Sequence, residues 1–162
     1  MSRLLVIGCG GVAQVAISKC CQNSKTFTEL CIASRTKSKW DAVKEKLQGK
    51  TDTVITTAKV NADSKDELVA LIKEYKPDAV LNVALPYQDI TIMDACLECK
   101  VDYIDTANYE PEDTDDPEWR AIYEKRCKEK GFTAYFDYSY QWAYEEKFKN
   151  AGLNCKVKAL KK

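Results

Sequence analysis

No histidine occurs anywhere in the 162 residues. That absence removes every histidine general base, every Ser-His or Cys-His nucleophile and every histidine-ligated metal at once. Net charge is missing too. With 25 basic residues against 25 acidic ones, no overall field draws the chain to nucleic acid or to an anionic membrane. Nor does any apolar run approach the ~20 residues that cross a bilayer. The apolar start is only a strand long, with no charged leader and no small-residue cleavage site. The expectation is a cytoplasmic protein with neither nucleic acid nor membrane as partner.

Cysteine is not scarce, but its placement is telling. Cys9, Cys20, Cys21, Cys31, Cys96, Cys99, Cys127 and Cys155 fall inside predicted strands and helices rather than in short loops. They therefore read as reduced, packed thiols and not as a disulfide scaffold. Cys96-Leu97-Glu98-Cys99 is a C-x-x-C pair, yet no second pair or histidine completes a zinc site, so no metal is expected. A reductase complete on one domain that uses a Tyr with Lys four positions later is also excluded, because none of the nine tyrosines has that lysine. The length suits one domain, enough to bury about 70% of the surface of the unfolded chain.

What is present starts almost at the first residue. Leu4-Leu5-Val6-Ile7 runs into Gly8-Cys9-Gly10-Gly11-Val12-Ala13, an apolar strand feeding a glycine turn and then a helix. Gly8 can take backbone angles barred to other residues, Gly10 leaves the main chain open to a phosphate, and Ala13 lets the helix sit close to the strand. The amides of this turn, with the positive end of the helix dipole behind them, suit a pyrophosphate. The motif alone is weak. Its context, between a strand and the amphipathic run Val12 to Ile17, with a second strand at Glu29-Leu30-Cys31-Ile32-Ala33, is that of a first βαβ unit of a dinucleotide-binding domain.

The end of the second strand points to a particular dinucleotide. NAD-dependent domains place an Asp or Glu about 20 residues beyond the glycines, where it accepts from the ribose 2′-hydroxyl. This chain instead has Ser34-Arg35-Thr36-Lys37-Ser38-Lys39. Arg35 can clamp a 2′-phosphate with two charge-assisted hydrogen bonds, while Ser34, Thr36 and Lys39 add donors or charge. The implied cofactor is NADP(H). The competing reading is a solvated basic turn capping a helix.

Further along, strands and helices alternate in the manner of a parallel sheet covered on both faces. A helix starts at Ser38-Lys39-Trp40-Asp41 and runs to about Leu47, ended by Gly49; Thr53 to Val60 forms a third strand; Asp63 or Ser64 caps a helix stopped by Lys76-Pro77. Ala79 to Ala84 reads as a central strand, with Pro86 opening a helix from about Gln88 to Cys99. Tyr103 to Ala107 makes a fifth strand. A helix from Pro117 to Lys130, a sixth strand at Phe132 to Phe136 and a helix from Tyr140 to Asn150, capped by Ser139 and closed at Gly152, complete the pattern. The fold class is thus α/β: a doubly wound parallel sheet of Rossmann type, with about six strands.

Ligands of such sheets lie outside the carboxyl ends of the strands, near the reversal of strand order. On that rule Asn61, Ala62 and Asp63 border the adenine, and Ala84, Leu85, Pro86 and Tyr87 line the bridge to the nicotinamide. Asp105, Thr106 and Ala107 flank the nicotinamide ribose. Asp63 and Pro86 are equally good helix starters. Two other stretches bear on a substrate. Six carboxylates between Asn108 and Glu118 form either a loop that attracts a cationic amine or a solvated lead-in to a helix. The aromatic run Tyr138 to Tyr144 is either a wall of the nicotinamide site or a seam for another domain or subunit.

These segments together resemble the saccharopine dehydrogenase family, on its carboxynorspermidine-forming branch. Gly8 to Ala13, Ala33 to Thr36, Val83 to Gln88, Tyr103 to Glu110 and Tyr140-Gln141-Trp142 carry the likeness, which spans about residues 1–153. The resemblance implies an NADPH-dependent reductive condensation: aspartate semialdehyde joins a diamine, and hydride reduces the imine to a carboxylated polyamine. It also implies a homodimer and a larger substrate domain. Here the chain departs from the family, because residues 154–162 read as a basic tail where the substrate domain would follow. The expectation is an NADP-binding domain at residues 1–153 with little turnover alone and no assignable catalytic residue, or else a non-catalytic NADP(H)-binding sensor or regulatory module.

Overall fold

In the computed structural model residues 2–106, 109, 117–129, 131 and 139–156 are described. Among them are the strands β1 (Ser2–Ile7), β2 (Phe27–Ser34), β3 (Val54–Lys59), β4 (Ala79–Asn82), β5 (Asp102–Asp105) and β6 (Cys155–Lys156). The helices are α1 (Gly11–Cys21), α2 (Lys37–Leu47), α3 (Lys65–Tyr75), α4 (Asp89–Cys99), α5 (Pro117–Glu129) and α6 (Ser139–Asn150), with a 3-10 turn at Pro86–Gln88. The strands pair in parallel in the order β3-β2-β1-β4-β5-β6. This is the doubly wound arrangement, with its switch point between β1 and β4, and the α/β class read from the sequence holds.

The central strands are apolar along their length because both faces are covered. Leu4 and Val6 of β1, with Leu30 and Ile32 of β2, pack under Ala13 and Ile17 of α1 and Trp40 and Val43 of α2. Leu5 and Ile7 face the other way, with Cys31, Val80 and Tyr103, against Leu68 and Ile72 of α3, Ile92, Met93 and Cys96 of α4, and Phe148 of α6. One rung on this second face runs Cys31, Leu5, Val80, Tyr103 and Cys155 across five strands. The rung two residues nearer the carboxyl ends runs Ala33, Ile7, Asn82 and Asp105. Halfway across the sheet it changes from apolar to polar, and the site is built there.

Local chemistry explains most of the boundaries. Ser64 caps α3, its side chain accepting from Glu67 N (3.3 Å), with Asp66 and Glu67 in the first turn facing the positive helix end. The helix stops at Lys76, in the left-handed conformation with φ 52°, just before Pro77. For α2 the cap is Thr36 rather than Ser38: Ser34 Oγ and Thr36 pair locally (3.4 Å), which lets the chain turn into the helix two residues early.

A second difference lies at the sheet edge. The strand expected at Phe132 to Phe136 lies outside the described residues, and the strand beside β5 is Cys155–Lys156. Asn154, read from the sequence as the first residue of a tail, is part of this pairing. Tyr103 N donates to Asn154 O (3.0 Å), while Asn154 N and Nδ2 donate to the two oxygens of Asp102 (2.9 Å each). Gly152, with φ 73°, and the bond from Leu153 N to Phe148 O (2.9 Å) turn the chain off α6 into that position. A two-residue strand with one polar residue has no period to read, so only the pairing reveals it. Residues 157–162 lie outside the described residues.

The turn after β1 allows a contrast between two glycines. Gly8 has φ 113°, and a Cβ there would meet Val83 O at 2.5 Å, Val83 C at 2.7 Å and Ala84 N at 2.9 Å. Gly10 has φ −83°, and a Cβ there would meet nothing within 4 Å. Gly8→Ala should therefore cost about 3 kcal/mol or more, from backbone strain and backbone collision together. Gly10→Ala should shift stability by less than about 1 kcal/mol. Urea unfolding of both variants measures the difference, and equal midpoints would refute this account of the turn.

Candidate functional site

Where β1 and β4 part, their ends and those of β2 and β3 enclose an open cleft of about 230 Å³. That is below the ~300–1,000 Å³ of a site enclosing a whole drug-sized ligand, so the cleft encloses part of a dinucleotide and leaves the rest on the surface. Backbone bonds weld its floor: Gly8 N donates to Ala33 O (2.9 Å), Val83 N to Ile7 O (2.9 Å) and Val60 N to Ser34 O (3.2 Å).

One end of the cleft follows from the β1–α1 turn. Gly8 and Gly10 line it, and Gln14 N donates to Gly10 O (3.0 Å), closing the first helical bond. The amides of Gly11, Val12 and Ala13 precede that bond and so have no acceptor within the helix. Ala13 is buried against the sheet, as its small side chain allows, while Val12 is exposed. The open space at Gly10, beside first-turn amides and a helix dipole, fits a diphosphate.

The opposite end is basic. Ser34 at the end of β2, Arg35 and Thr36 on the loop and Lys39 in the first turn of α2 all line the cleft, so the sequence-predicted donors do converge. Arg35 is more than half exposed and lies 3.5 Å from Asp63. Lys37 instead pairs with Asp41 along α2 (2.6 Å). Burial pushes the Cys9 thiol up, partly offset by Lys39, so this cleft-lining sulfur is a poor nucleophile.

Other expected residues stand back from the cleft. Ala62, Ala84 and Leu85 line it, but Asn61, Asp63, Pro86 and Tyr87 do not. Asn61 shapes the turn into α3, accepting from Asp63 N (3.3 Å) through its side chain and from Ser64 N (3.0 Å) through its carbonyl. Thr106 is exposed, and Ala107 lies outside the described residues. Ile7, Cys9, Ala33, Val60, Val83 and Gln88 line the cleft without having been singled out. Five of them are strand ends or their neighbours, a signal available once strand register is known. Gln88 is signalled only by its place three residues after Leu85, whose N–H it accepts (3.4 Å).

Asp105 is turned inward rather than toward the cleft. It is 5% exposed and belongs to a buried polar network with Asn82, Asp89, Tyr103 and Gln141, the last fully buried. Asn82 Nδ2 donates to Asp89 Oδ1 (2.6 Å) and to the Tyr103 hydroxyl (2.9 Å), which donates to Asp105 Oδ2 (3.1 Å). Gln141 Nε2 donates to Asp105 Oδ2 (2.7 Å) and Asp89 Oδ2 (3.2 Å), and Gln141 Oε1 accepts from Tyr109 N (2.9 Å). Burial, then the two carboxylates, holds the Tyr103 hydroxyl well above its ordinary pKa, so it acts as a fixed donor and not as an acid. The network sets the cleft wall: Asn82 Oδ1 accepts from Ala84 N (3.0 Å), fixing the loop after β4.

The aromatic run near the last helix divides. Tyr138 lies outside the described residues, as does most of the acidic loop before α5. Tyr140 packs on Tyr109 (ring centroids 4.9 Å apart) and under the Arg126 guanidinium (4.5 Å). Tyr144 is buried with its hydroxyl on Asp94 (2.8 Å), and Trp142 is half exposed. Tyr140, Trp142 and Tyr144 do not line the cleft. The C-x-x-C thiols are packing residues: burial raises both Cys96 and Cys99, and they are unpaired along with Cys9, Cys20, Cys21, Cys31 and Cys155.

Comparison with known proteins agrees with this geometry. Residues 4–155 match the family described as saccharopine dehydrogenase NADP binding domain. A carboxyaminopropylagmatine dehydrogenase of Synechocystis sp. is 40% identical over 153 residues, covering 94% of this chain and 33% of that protein. A carboxynorspermidine synthase of Vibrio alginolyticus is 38% identical over 155 residues, 93% of this chain and 34% of the other. The chain spans about a third of the length of the curated relatives it matches. Among solved structures, the apo saccharopine dehydrogenase of Saccharomyces cerevisiae superposes with a TM-score of 0.55 at 16% identity, over 94% of this chain and 32% of that one. The UDP-glucose-4-epimerase of Stenotrophomonas maltophila, solved with bound NAD, gives 0.54 at 18% identity, over 65% and 36%.

The buried network makes a stability prediction. Gln141→Leu preserves volume but takes a donor from two buried carboxylates, which should cost about 3 kcal/mol. Urea unfolding reads it directly. An unchanged midpoint would mean that the amide contributes nothing to holding α6 on the sheet.

Proposed function

The chain belongs to the saccharopine dehydrogenase NADP-binding domain family, and from that premise we propose that it holds NADPH in preference to NADH and presents it to an imine. The observation that carries the reading is the basic loop after β2, where Ser34, Arg35, Thr36 and Lys39 line the cleft in place of the carboxylate that would receive a ribose 2′-hydroxyl. Arg35 clamps the 2′-phosphate by charge-assisted hydrogen bonds, with Lys39 as a second cation. The first-turn amides of Gly11, Val12 and Ala13, reached across the bare Gly10, hold the diphosphate. Ala62 borders the adenine side, while Ala84 and Leu85 lead toward the nicotinamide.

NADPH bound there supplies a hydride. The acceptor in our reading is the imine formed when aspartate semialdehyde condenses with a diamine; the carboxylated polyamine it gives is in keeping with the name carboxynorspermidine synthase of two of the relatives. Selecting those substrates requires groups opposite the nicotinamide. Because this chain corresponds to a third of each relative, we assign it the cofactor half and assign turnover to the assembled enzyme. Within the same reading the enzyme works in the cytoplasm as a homodimer.

Calorimetric titration tests the cofactor assignment. Wild type should take up NADPH more tightly than NADH. Arg35→Asp should weaken NADPH by about 10- to 100-fold, the worth of a charge-assisted pair, with little effect on NADH. Gly10→Ala should weaken both cofactors together while leaving stability near wild type. Equal losses for the two cofactors in Arg35→Asp would overturn the phosphate clamp, and no uptake of NADPH by folded wild type would overturn the proposal.

A further inference from the structure

The basic loop after β2 is not electrostatically simple. Asp63, on the neighbouring loop from β3 into α3, places Oδ2 3.5 Å from the Arg35 guanidinium, and its Oδ1 accepts from Gln88 Nε2 at 2.6 Å. Arg35 and Gln88 line the cleft while Asp63 does not. From outside, one carboxylate therefore holds a residue at each side of the opening. It is not needed to start α3, which Ser64 caps. The neighbouring cations differ from Arg35. Lys37 is neutralised by Asp41, and Lys39 has no ion-pair partner among the described residues.

We propose that Asp63 is a specificity-determining residue, an internal counter-ion that competes with the 2′-phosphate of the cofactor for Arg35. The inference rests on the NADPH reading above and deepens it. A phosphate monoester carries a charge of about −1.5 to −2 near neutral pH, so it approaches Arg35 against the Asp63 carboxylate and must share or displace it. A ribose 2′-hydroxyl carries no charge and meets no such opposition. Asp63 thus lowers affinity for the phosphorylated cofactor selectively and narrows its margin over NADH. Both members of the pair are partly exposed, so the effect is a moderate one.

Asp63→Asn isolates the charge, because the amide oxygen still accepts from Gln88. Titration of the purified chain at low salt should show NADPH binding tightened by about fivefold and NADH unchanged within about twofold. The gain should shrink as salt is raised. Asp63→Ser, which also keeps an oxygen and loses the charge, serves if the first variant does not fold. A folded variant with no gain for NADPH, or with equal gains for both cofactors, overturns the counter-ion role while wild-type preference for NADPH still stands. Failure of wild type to take up NADPH overturns the parent reading, and this inference with it.

Discussion

The structure depends on one place where there is no room. At the switch point, the main chain leaving β1 passes so close to the main chain leaving β4 that a single carbon added to Gly8 would overlap Val83. That contact does two things. It lets the first turn bend back with a positive φ, bringing Gly10, the residue before α1, to the cleft, and it fixes the height of the loop after β4 relative to that turn. The glycine turn and the loop after β4, both of which line the cleft, are thereby set by one packing constraint between backbones, which no side-chain rearrangement can relax.

The same loop is gripped from below by polar groups. The rung that begins apolar at Ala33 and Ile7 ends at Asn82 and Asp105, and burying those groups is tolerable only if each is hydrogen-bonded. Gln141 reaches Asp105 from α6, and Asp89, at the start of α4, accepts from both Asn82 and Gln141. Asn82 then passes the constraint upward to Ala84. A binding cleft needs rigid walls, and a satisfied buried network provides one where an apolar core would leave the Ala84 amide without this partner.

How much of this was legible in the sequence depends on the range of the interaction responsible. The glycine turn, the basic segment after β2 and the apolar strands are local signals, each decided within a few residues, and the structure forms them; of the two caps the sequence offers for α3, Asp63 and Ser64, it takes Ser64. The role of Asp105 was not legible, because its partner Gln141 lies 36 residues away and the Asp89–Gln141 bond spans 52. The aromatic run drew attention to its rings, yet the residue that matters to the network is the amide between them. Likewise β6 is too short to carry a period. Its evidence is the double grip of Asp102 on Asn154, a contact that exists only once the sheet is formed.

A chain with no net charge can still discriminate a phosphate, because discrimination is local. Fields from balanced charges spread over the surface cancel within about 10 Å at ordinary salt. The cleft is lined by Lys39, which has no ion-pair partner among the described residues, and by Arg35, which pairs with Asp63 at 3.5 Å. Had the acid stood at the end of β2 itself, as in NAD-dependent domains, it would occupy the place of the 2′-phosphate and exclude it. Set one strand over at the end of β3, it is near enough to hold the guanidinium in place and too far to block the site. In the reading proposed above, the position of that carboxylate relative to Arg35, rather than the overall charge, tempers the margin by which the phosphorylated cofactor is preferred.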